Sequence, residues 1–307
     1  MLEDRVIRIL EERRFDGILQ SELPESLNAS KSRVSEVLSA LEKQGIIVRR
    51  KEAGKNLKVW LKEYSEGSTK IGILRAVEYA KLVSSGEYTF IIYSNAIDLT
   101  RDLALGKIDI GASPLVTQVM FGVMMKTIAI KTVVAGNGSG IVFGDADNRI
   151  FATTEMSAME INLRAVRDKL GIRGFVYCQS PDCLISSLSD VAGIAIWEPY
   201  FTSLEREKIA FKDLEGDYPC CTLAFNKNYL LRNQDGVVKF INDFERAEID
   251  VEKVSSILGF NVNDVKKSIR NYRFNPSYEF DDLVEYMKRG GIEISPESLS
   301  AVFQDFR

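Results

Sequence analysis

The hydrophobic positions change period along the chain. Over residues 2–14, Leu2, Val6, Ile7 and Leu10 fall on one side of a helix, and acids and bases fill the other. In "SKSRVSEVLSALEKQG", Val34, Val37, Leu38 and Leu41 recur at i, i+3, i+4 and i+7, which predicts a helix with Ser30 as its N-cap and Gly45 as its stop. Between these two, Ser21 is expected to cap a short helix ending near Leu27, with Pro24 in its first turn and Asn28 and Ala29 making the turn that follows. "IIVRR" and "LKVWL" then flank "KEAGKN", the pattern of a two-stranded ribbon.

"YSEGSTK", residues 64–70, has the Ser and Gly content of a short linker. Beyond it the pattern becomes short apolar runs separated by helical stretches. "KIGILR", "YTFIIYS", "IDIGAS", "TIAIKTVVA", "GIVF", "IFATT", "GFVYC", "AGIAIWE" and "CTLAFN" read as strands, and "AIDLTRDLALGK" and "EMSAMEINLRAVRDKLG" as helices. This alternation predicts an α/β domain with mainly parallel sheets. The division expected is residues 1–63, a linker at 64–69, and a second domain at 70–307.

In open sheets of this class, ligands bind beyond the carboxyl ends of the strands. The sequence places small polar residues there: Ser94 and Asn95, Ser113, Asn137 and Ser139, Thr153 and Thr154, and Ser180. Caps of this kind leave backbone N–H groups that suit an anion or the polar edge of a small molecule. Tyr79, Tyr93, Trp197 and Tyr200 suit stacking on a flat ligand body. With Arg75 as the one well-placed base, the expected pocket is not obviously built for a strongly charged anion. Each residue also has a plainer structural reading: Ser113 as a helix cap, "GNGSG" as a turn, Trp197 as a core aromatic, Glu198 as a solvated charge, and Arg75 as a partner of Glu78 or Asp109.

Composition narrows the chemistry. At 307 residues, 45% hydrophobic and 27% charged, the chain can bury two or three lobes. It lacks a run of the roughly 18 apolar residues that a membrane span needs, and "MLEDRVIRILEERR" is charged throughout, unlike a secretory signal, so the expected location is the cytoplasm with no membrane partner. The sequence contains no histidine, which removes the commonest general base and metal ligand. The four cysteines, Cys178, Cys183, Cys220 and Cys221, are expected to form neither a disulfide framework nor a metal site, and no cofactor is expected. Net charge is −4, yet residues 1–63 carry thirteen Lys and Arg against eleven Asp and Glu, an excess of +2 that leaves −6 on the remainder.

The N-terminal pattern resembles a winged helix-turn-helix of the MarR type found in many archaeal and bacterial regulators, over about the first 63 residues. The resemblance implies double-stranded DNA as a partner, with Lys31, Ser32 and Ser35 facing the groove, and Arg33, Arg49, Arg50, Lys51, Lys55 and Lys58 available to phosphates. From about Lys70 to Ile294, "LALGKIDIGASPLVTQ", "IKTVVAGNGSGIVF", "SSLSDVAGIAIWEPYFTSLEREK" and "CCTLAFNKNYL" follow one another in an order that resembles the type II periplasmic-binding fold. The specific likeness is to the branch that binds sulfonates, taurine, nitrate and the pyrimidine precursor of thiamine. That implies two lobes joined by two crossover strands: a first lobe at 70–142 with a return at 216–240, a second at 145–212, and a helical C-terminal part at 241–307. By matching positions, the ligand would touch Arg75 or Tyr79, Ser94, Asn95, Ser113, Asn137 to Ser139, Thr153, Thr154, Ser180, Trp197 and Glu198.

The combination reads as a one-component transcriptional regulator, in which a small cytosolic effector changes lobe closure and so the placement of two DNA-reading heads. A homodimer or tetramer is expected, because paired half-sites call for paired heads. Two alternatives stay open. One is an enzyme on the same fold, a chorismate-dehydratase-like lyase with Glu198 or Asp182 as general base. The other is a solute-binding or scaffold protein whose N-terminal domain serves only protein contact.

Overall fold

The computed structural model describes residues 1–14, 17–51, 57–65 and 69–303, which fall into two compact units, Met1–Lys70 and Ile71–Arg307. In the first unit the order is α1 (Leu2–Glu12), β1 (Ile18–Leu19), α2 (Leu23–Leu27), α3 (Lys31–Lys43), β2 (Ile47–Lys51) and β3 (Leu57–Leu61). The three strands form one antiparallel sheet in the order β1-β3-β2. Its core is assembled from the apolar stripes: Val6 and Leu10 of α1, Leu23 and Leu27 of α2, all four periodic residues of α3, and Ile18, Ile47, Val59 and Leu61 of the sheet are buried together. Removing such side chains from water is worth about 2 kcal/mol each, far more than the short helices contribute by propensity.

Local chemistry sets the helix ends. Ser30 Oγ accepts from the Arg33 N–H and starts α3, and Gly45 ends it at φ 74°, a conformation that glycine adopts without a Cβ penalty. Ser21 does not cap α2: the N-cap is Glu22, in helical geometry and without a side-chain cap bond, because the chain has already turned through the Glu22 N–H to Leu19 carbonyl contact. The turn "KEAGKN" lies largely outside the described residues. The strand β1 has no sequence signature, being only two residues long.

The second unit holds two sheets. One contains β4 (Ile71–Leu74), β5 (Phe90–Tyr93), β6 (Ile110–Pro114) and β7 (Ile128–Asn137); the other takes β8 (Ser139–Phe143), β9 (Ile150–Thr154), β10 (Gly174–Cys178), β11 (Gly193–Trp197) and β12 (Lys208–Ala210). The chain then returns to the first sheet with β13 (Pro219–Asn226) and, much later, β14 (Tyr272–Phe274). The strand orders are β14-β7-β13-β6-β4-β5 and β10-β9-β11-β8-β12.

Three features differ from the expectation. The sheets are mixed: only β5-β4-β6 and β10-β9-β11 run parallel, whereas β13 and β14 in the first sheet and β8 and β12 in the second pair antiparallel with their neighbours. The first lobe ends at Asn137 and not near residue 142, since Ser139–Phe143 pairs with β11 and β12. The C-terminal part is not wholly helical, because Tyr272–Phe274 pairs with Asn137, Gly136 and Ala135 of β7. Elsewhere it is built from amphipathic helices such as Phe280–Arg289, which buries Leu283, Tyr286 and Met287. Cys178 and Cys183 form a disulfide, against expectation: the turn from β10 into the helix Pro181–Ser186 brings their Cα atoms to 5.6 Å. Among the described residues, no helix is long and apolar enough to cross a membrane.

The two sheets meet at two crossovers that are bonded to each other. Asn137 N–H donates to the Tyr218 carbonyl at 3.1 Å, and Tyr218 N–H donates to Asn137 Oδ1 at 3.2 Å. Asn137 Nδ2 reaches Asp217 at 2.7 Å, Arg273 pairs with the same carboxylate, and Ser139 Oγ meets the Tyr218 hydroxyl at 2.7 Å. Asn137 and Gly138 both have positive φ, 63° and 76°, and a Cβ on Gly138 would sit 1.9 Å from the Tyr272 ring. Strain in the left-handed region and overpacking each cost about 1–3 kcal/mol. Gly138→Ala is therefore expected to destabilise the protein by about 3 kcal/mol, read as a lowered midpoint in denaturant unfolding of the second unit; an unchanged midpoint would contradict this account of the crossover.

Candidate functional site

The parallel strands of both lobes end at one cavity of about 710 Å³. From the first lobe it is walled by Leu74, Arg75, Ala76 and Glu78 after β4, by Tyr93 to Asp98 after β5, and by Pro114 of β6. From the second lobe come Thr154, Glu155, Ser157 and Met159 after β9, Cys178 to Asp182 after β10, and Trp197 and Tyr200 at the end of β11. Phe260, in the C-terminal part, completes the wall. This is the position that open α/β sheets reserve for ligands.

Three helices begin at this cavity. Asn95 caps Ala96–Ala104 through the Asp98 N–H at 2.8 Å, Ser157 caps Ala158–Ala165 through the Glu160 N–H at 3.2 Å, and Ser180 caps Pro181–Ser186 through the Cys183 N–H at 3.2 Å. The caps consume one N–H each. An aromatic chain runs along one side: Trp197 meets Tyr200 edge-on at 6.0 Å, Tyr200 meets Phe260 at 5.9 Å, and the Arg75 guanidinium lies 5.1 Å from the Phe260 ring centre. Burial holds the Tyr200 proton more tightly than usual.

Polar capacity on the wall is uneven. Arg75 donates to the carbonyls of Leu258 and Gly259, both at 3.0 Å, so its charge is anchored to the C-terminal part. Four carboxyl groups, of Glu78, Asp98, Glu155 and Asp182, line the same cavity. Asp98 is tied to Asn95 at 2.7 Å and to Arg101 at 2.8 Å. The Trp197 indole N–H is buried without a hydrogen-bond partner. A buried donor of this kind costs free energy until an acceptor reaches it.

Of the twelve expected ligand residues, Arg75, Ser94, Asn95, Thr154, Ser180 and Trp197 line the cavity. The other six are brought elsewhere. Tyr79 is fully buried and donates to Cys221 Sγ at 3.4 Å. Ser113 is buried against the Thr100 hydroxyl at 2.9 Å. Asn137 and Ser139 hold the crossovers, and Thr153 is fully buried one residue before Thr154. Glu198 has no exposed surface; its carboxylate accepts from Thr202 N–H, Thr202 Oγ1, Ser268 Oγ and Asn271 Nδ2 at 3.1, 2.6, 3.2 and 2.6 Å. It fastens the end of β11 to the C-terminal part. Sequence reasoning missed Phe260, Met159 and Gln179, and did not place Glu78, Asp98 and Glu155 on the wall.

In the first unit, Lys31, Ser32 and Arg33 are exposed on the first turn of α3, and Ser35 is half-buried. Arg33 pairs with Glu36 at 3.3 Å in a well-exposed contact of small worth. Arg49 is committed inward: it bonds Glu42 through Nη2 at 2.5 Å and Nε at 3.0 Å, and it holds the Glu42 carboxyl below its ordinary range. Arg50 and Lys51 are exposed on β2, and Lys58 lies 5.5 Å from the Trp60 ring centre. Lys55 lies outside the described residues.

Residues 2–59 match a family model described as a domain of unknown function, DUF7343. No curated protein matches the chain. Among solved structures it is similar to the ligand-binding component of an ABC-type import system from Staphylococcus aureus with zinc bound, at 16% identity and TM-score 0.63, over 76% of this chain and 98% of that one. It is also similar to a conserved Candida albicans gene product described as having the generic periplasmic binding protein fold, at 14% identity and TM-score 0.60, over 78% and 96%. A third is the alkanesulfonate-binding protein SsuA from Xanthomonas axonopodis pv. citri bound to MOPS, at 14% identity and TM-score 0.57, over 72% and 90%. The chain thus carries the two-lobed α/β fold of periplasmic binding proteins.

Proposed function

We propose that the protein is a cytoplasmic, ligand-responsive transcriptional regulator. On this reading residues 1–63 form a winged helix-turn-helix of the MarR type that reads operator DNA, and the two-lobed unit senses a small metabolite. The observation that carries the sensor half is the unpartnered Trp197 N–H on the wall of a cavity that also offers aromatic surface. The DNA half is supported by Lys31, Ser32 and Arg33 on the first turn of α3, the helix that follows α2, with Arg50 and Lys51 exposed on the adjoining ribbon. A ligand that binds the open and closed lobes unequally shifts their balance, and only that difference can act as a signal.

The solved relatives include proteins described with an alkanesulfonate specificity or a bound zinc. Here four carboxyl groups stand against one anchored arginine, which favours a neutral or cationic flat ligand over a sulfonate or an oxyanion. The protein is read as a binder and not an enzyme: Glu198 is enclosed by four donors and faces none of the cavity, leaving Asp182 as the remaining expected base. Cys178, one half of the disulfide with Cys183, lines the cavity, and in the cytoplasm this bond is exposed to reduction.

Three outcomes are expected. In fluorescence anisotropy with duplexes from the gene's own upstream region, Arg33→Ala, Arg50→Ala and Lys51→Ala should each weaken binding to every sequence and lower the salt slope by about 1; unchanged affinity in the triple variant would sink the DNA assignment. Sedimentation at micromolar concentration should give a dimer or tetramer, and a strict monomer would count against paired heads. A thermal-shift screen of neutral and cationic heteroaromatic compounds should give hits whose affinity falls about tenfold in Trp197→Phe, which keeps a ring and removes the N–H. Hits confined to sulfonates, or indifferent to Trp197→Phe, would overturn the pocket as described.

A further inference from the structure

One group of ligating side chains touches the proposed sensing cavity at only one of its three members, Glu78. In β13 the register against β7 slips: Pro219 pairs with Gly136 and Cys221 with Ala135, so Cys220 is the extra residue of a bulge. A regular strand would send Cys220 and Cys221 to opposite faces, and a bulge re-aims side chains. Both thiols here donate to one carboxylate. Cys220 Sγ lies 3.0 Å from Glu78 Oε2, Cys221 Sγ lies 3.0 Å from Glu78 Oε1, and the sulfurs are 3.5 Å apart. All three residues are buried, with one ligand atom from each within 4.8 Å of the others.

The surroundings leave this group undercompensated. Glu78 has no ion pair with Lys or Arg among the described residues; two weak thiol donors bond it, with the Tyr79 hydroxyl beside them. A buried carboxyl group served so thinly is costly. The Tyr272 hydroxyl is buried without a partner, and burial together with nearby Glu78 and Cys220 raises its pKa well above the ordinary phenol value. Glu78 also lines the ligand cavity, so a small ion entering there meets one of the three groups at the wall.

We propose that Glu78, Cys220 and Cys221 form a binding site for a thiophilic divalent cation of the zinc type. Two sulfurs and one oxygen suit zinc, which takes Cys and carboxylate ligands in tetrahedral sites and leaves an open fourth position when the protein supplies three. Magnesium and calcium prefer all-oxygen shells and are excluded by the sulfurs. On binding, two S–H bonds break, two S–Zn bonds form, the carboxylate adds its oxygen, both protons pass to the buffer, and no electron moves. Metal–ligand bonds of about 2.0–2.3 Å require the three atoms to spread by about half an ångström from their present hydrogen-bonded spacing. Because Cys220 follows the second crossover directly, the ion would fasten that crossover to the turn after β4.

The test uses the full chain purified anaerobically without reductant, so that the Cys178–Cys183 disulfide stays closed, and zinc chloride as the probe. After loading and desalting, one zinc per chain is expected by atomic emission, and cobalt(II) in its place should give the near-ultraviolet thiolate-to-cobalt absorption of a two-sulfur site. Cys220→Ser and Cys221→Ser should each weaken zinc binding at least a hundredfold, and Glu78→Gln at least tenfold, with circular dichroism unchanged. The natural chain alone decides the matter if a variant does not fold. No retained zinc, no thiolate-to-cobalt band, or full zinc retention in the Cys220→Ser/Cys221→Ser double variant would each overturn the site. None of these outcomes depends on whether the first unit binds DNA.

Discussion

The architecture of the second unit turns on a reciprocal pair of hydrogen bonds between Asn137 and Tyr218. The two residues lie at the two places where the chain passes between sheets, and their mutual bonding makes one joint out of two strands. What surrounds the joint serves it. Asp217 is held by Asn137 and Arg273, so its carboxyl sits below the ordinary range; Ser139 binds the Tyr218 hydroxyl; and Gly138 lets the Tyr272 ring lie against the backbone. Residues that look like a ligand-binding loop, "GNGSG", are therefore used to join the lobes.

With the joint fixed, the cavity follows from strand direction. Each lobe presents three parallel strands, and the carboxyl ends of both sets face the same space. Short loops there lead into capped helices, while the aromatic chain from Trp197 to Phe260 spans the second lobe and the C-terminal part. Glu198, adjacent to Trp197, points the other way and ties the same two regions together. The cavity wall and the mechanical linkage are thus supplied by two neighbouring residues, Trp197 and Glu198.

The ribbon pattern and the alternation of apolar runs with helical stretches made eleven of the fourteen strands among the described residues legible, because each is an apolar-rich run bounded by turn chemistry. The three strands that escaped, at Ile18, Lys208 and Tyr272, are two or three residues long and too short to show a period. Within the site, residues at or just beyond strand ends were readable: Ser94, Asn95, Thr154 and Ser180 all reach the cavity. Facing was not. Thr153 and Thr154 differ by one position, as do Trp197 and Glu198, and a single step in a strand changes which side a residue occupies. Phe260 arrives from a connection between two helices far along the chain, and adjacency alone cannot tell that a bulge will turn Cys220 and Cys221 toward one carboxylate. The Cys178–Cys183 bond was hidden for a related reason, since its short spacing becomes a bridge only once the turn after β10 is formed.

The paired crossovers also make the second lobe a single uninterrupted insertion. The chain leaves the first sheet at Asn137 and rejoins it at Pro219, after Tyr218 has bonded back to Asn137, so the inserted segment begins and ends at neighbouring points. Segments whose ends meet in this way are the ones that chains accept, exchange or lose without rerouting the host fold. About half of the cavity wall is in that sense carried on one continuous stretch, set between two neighbouring points of the first sheet.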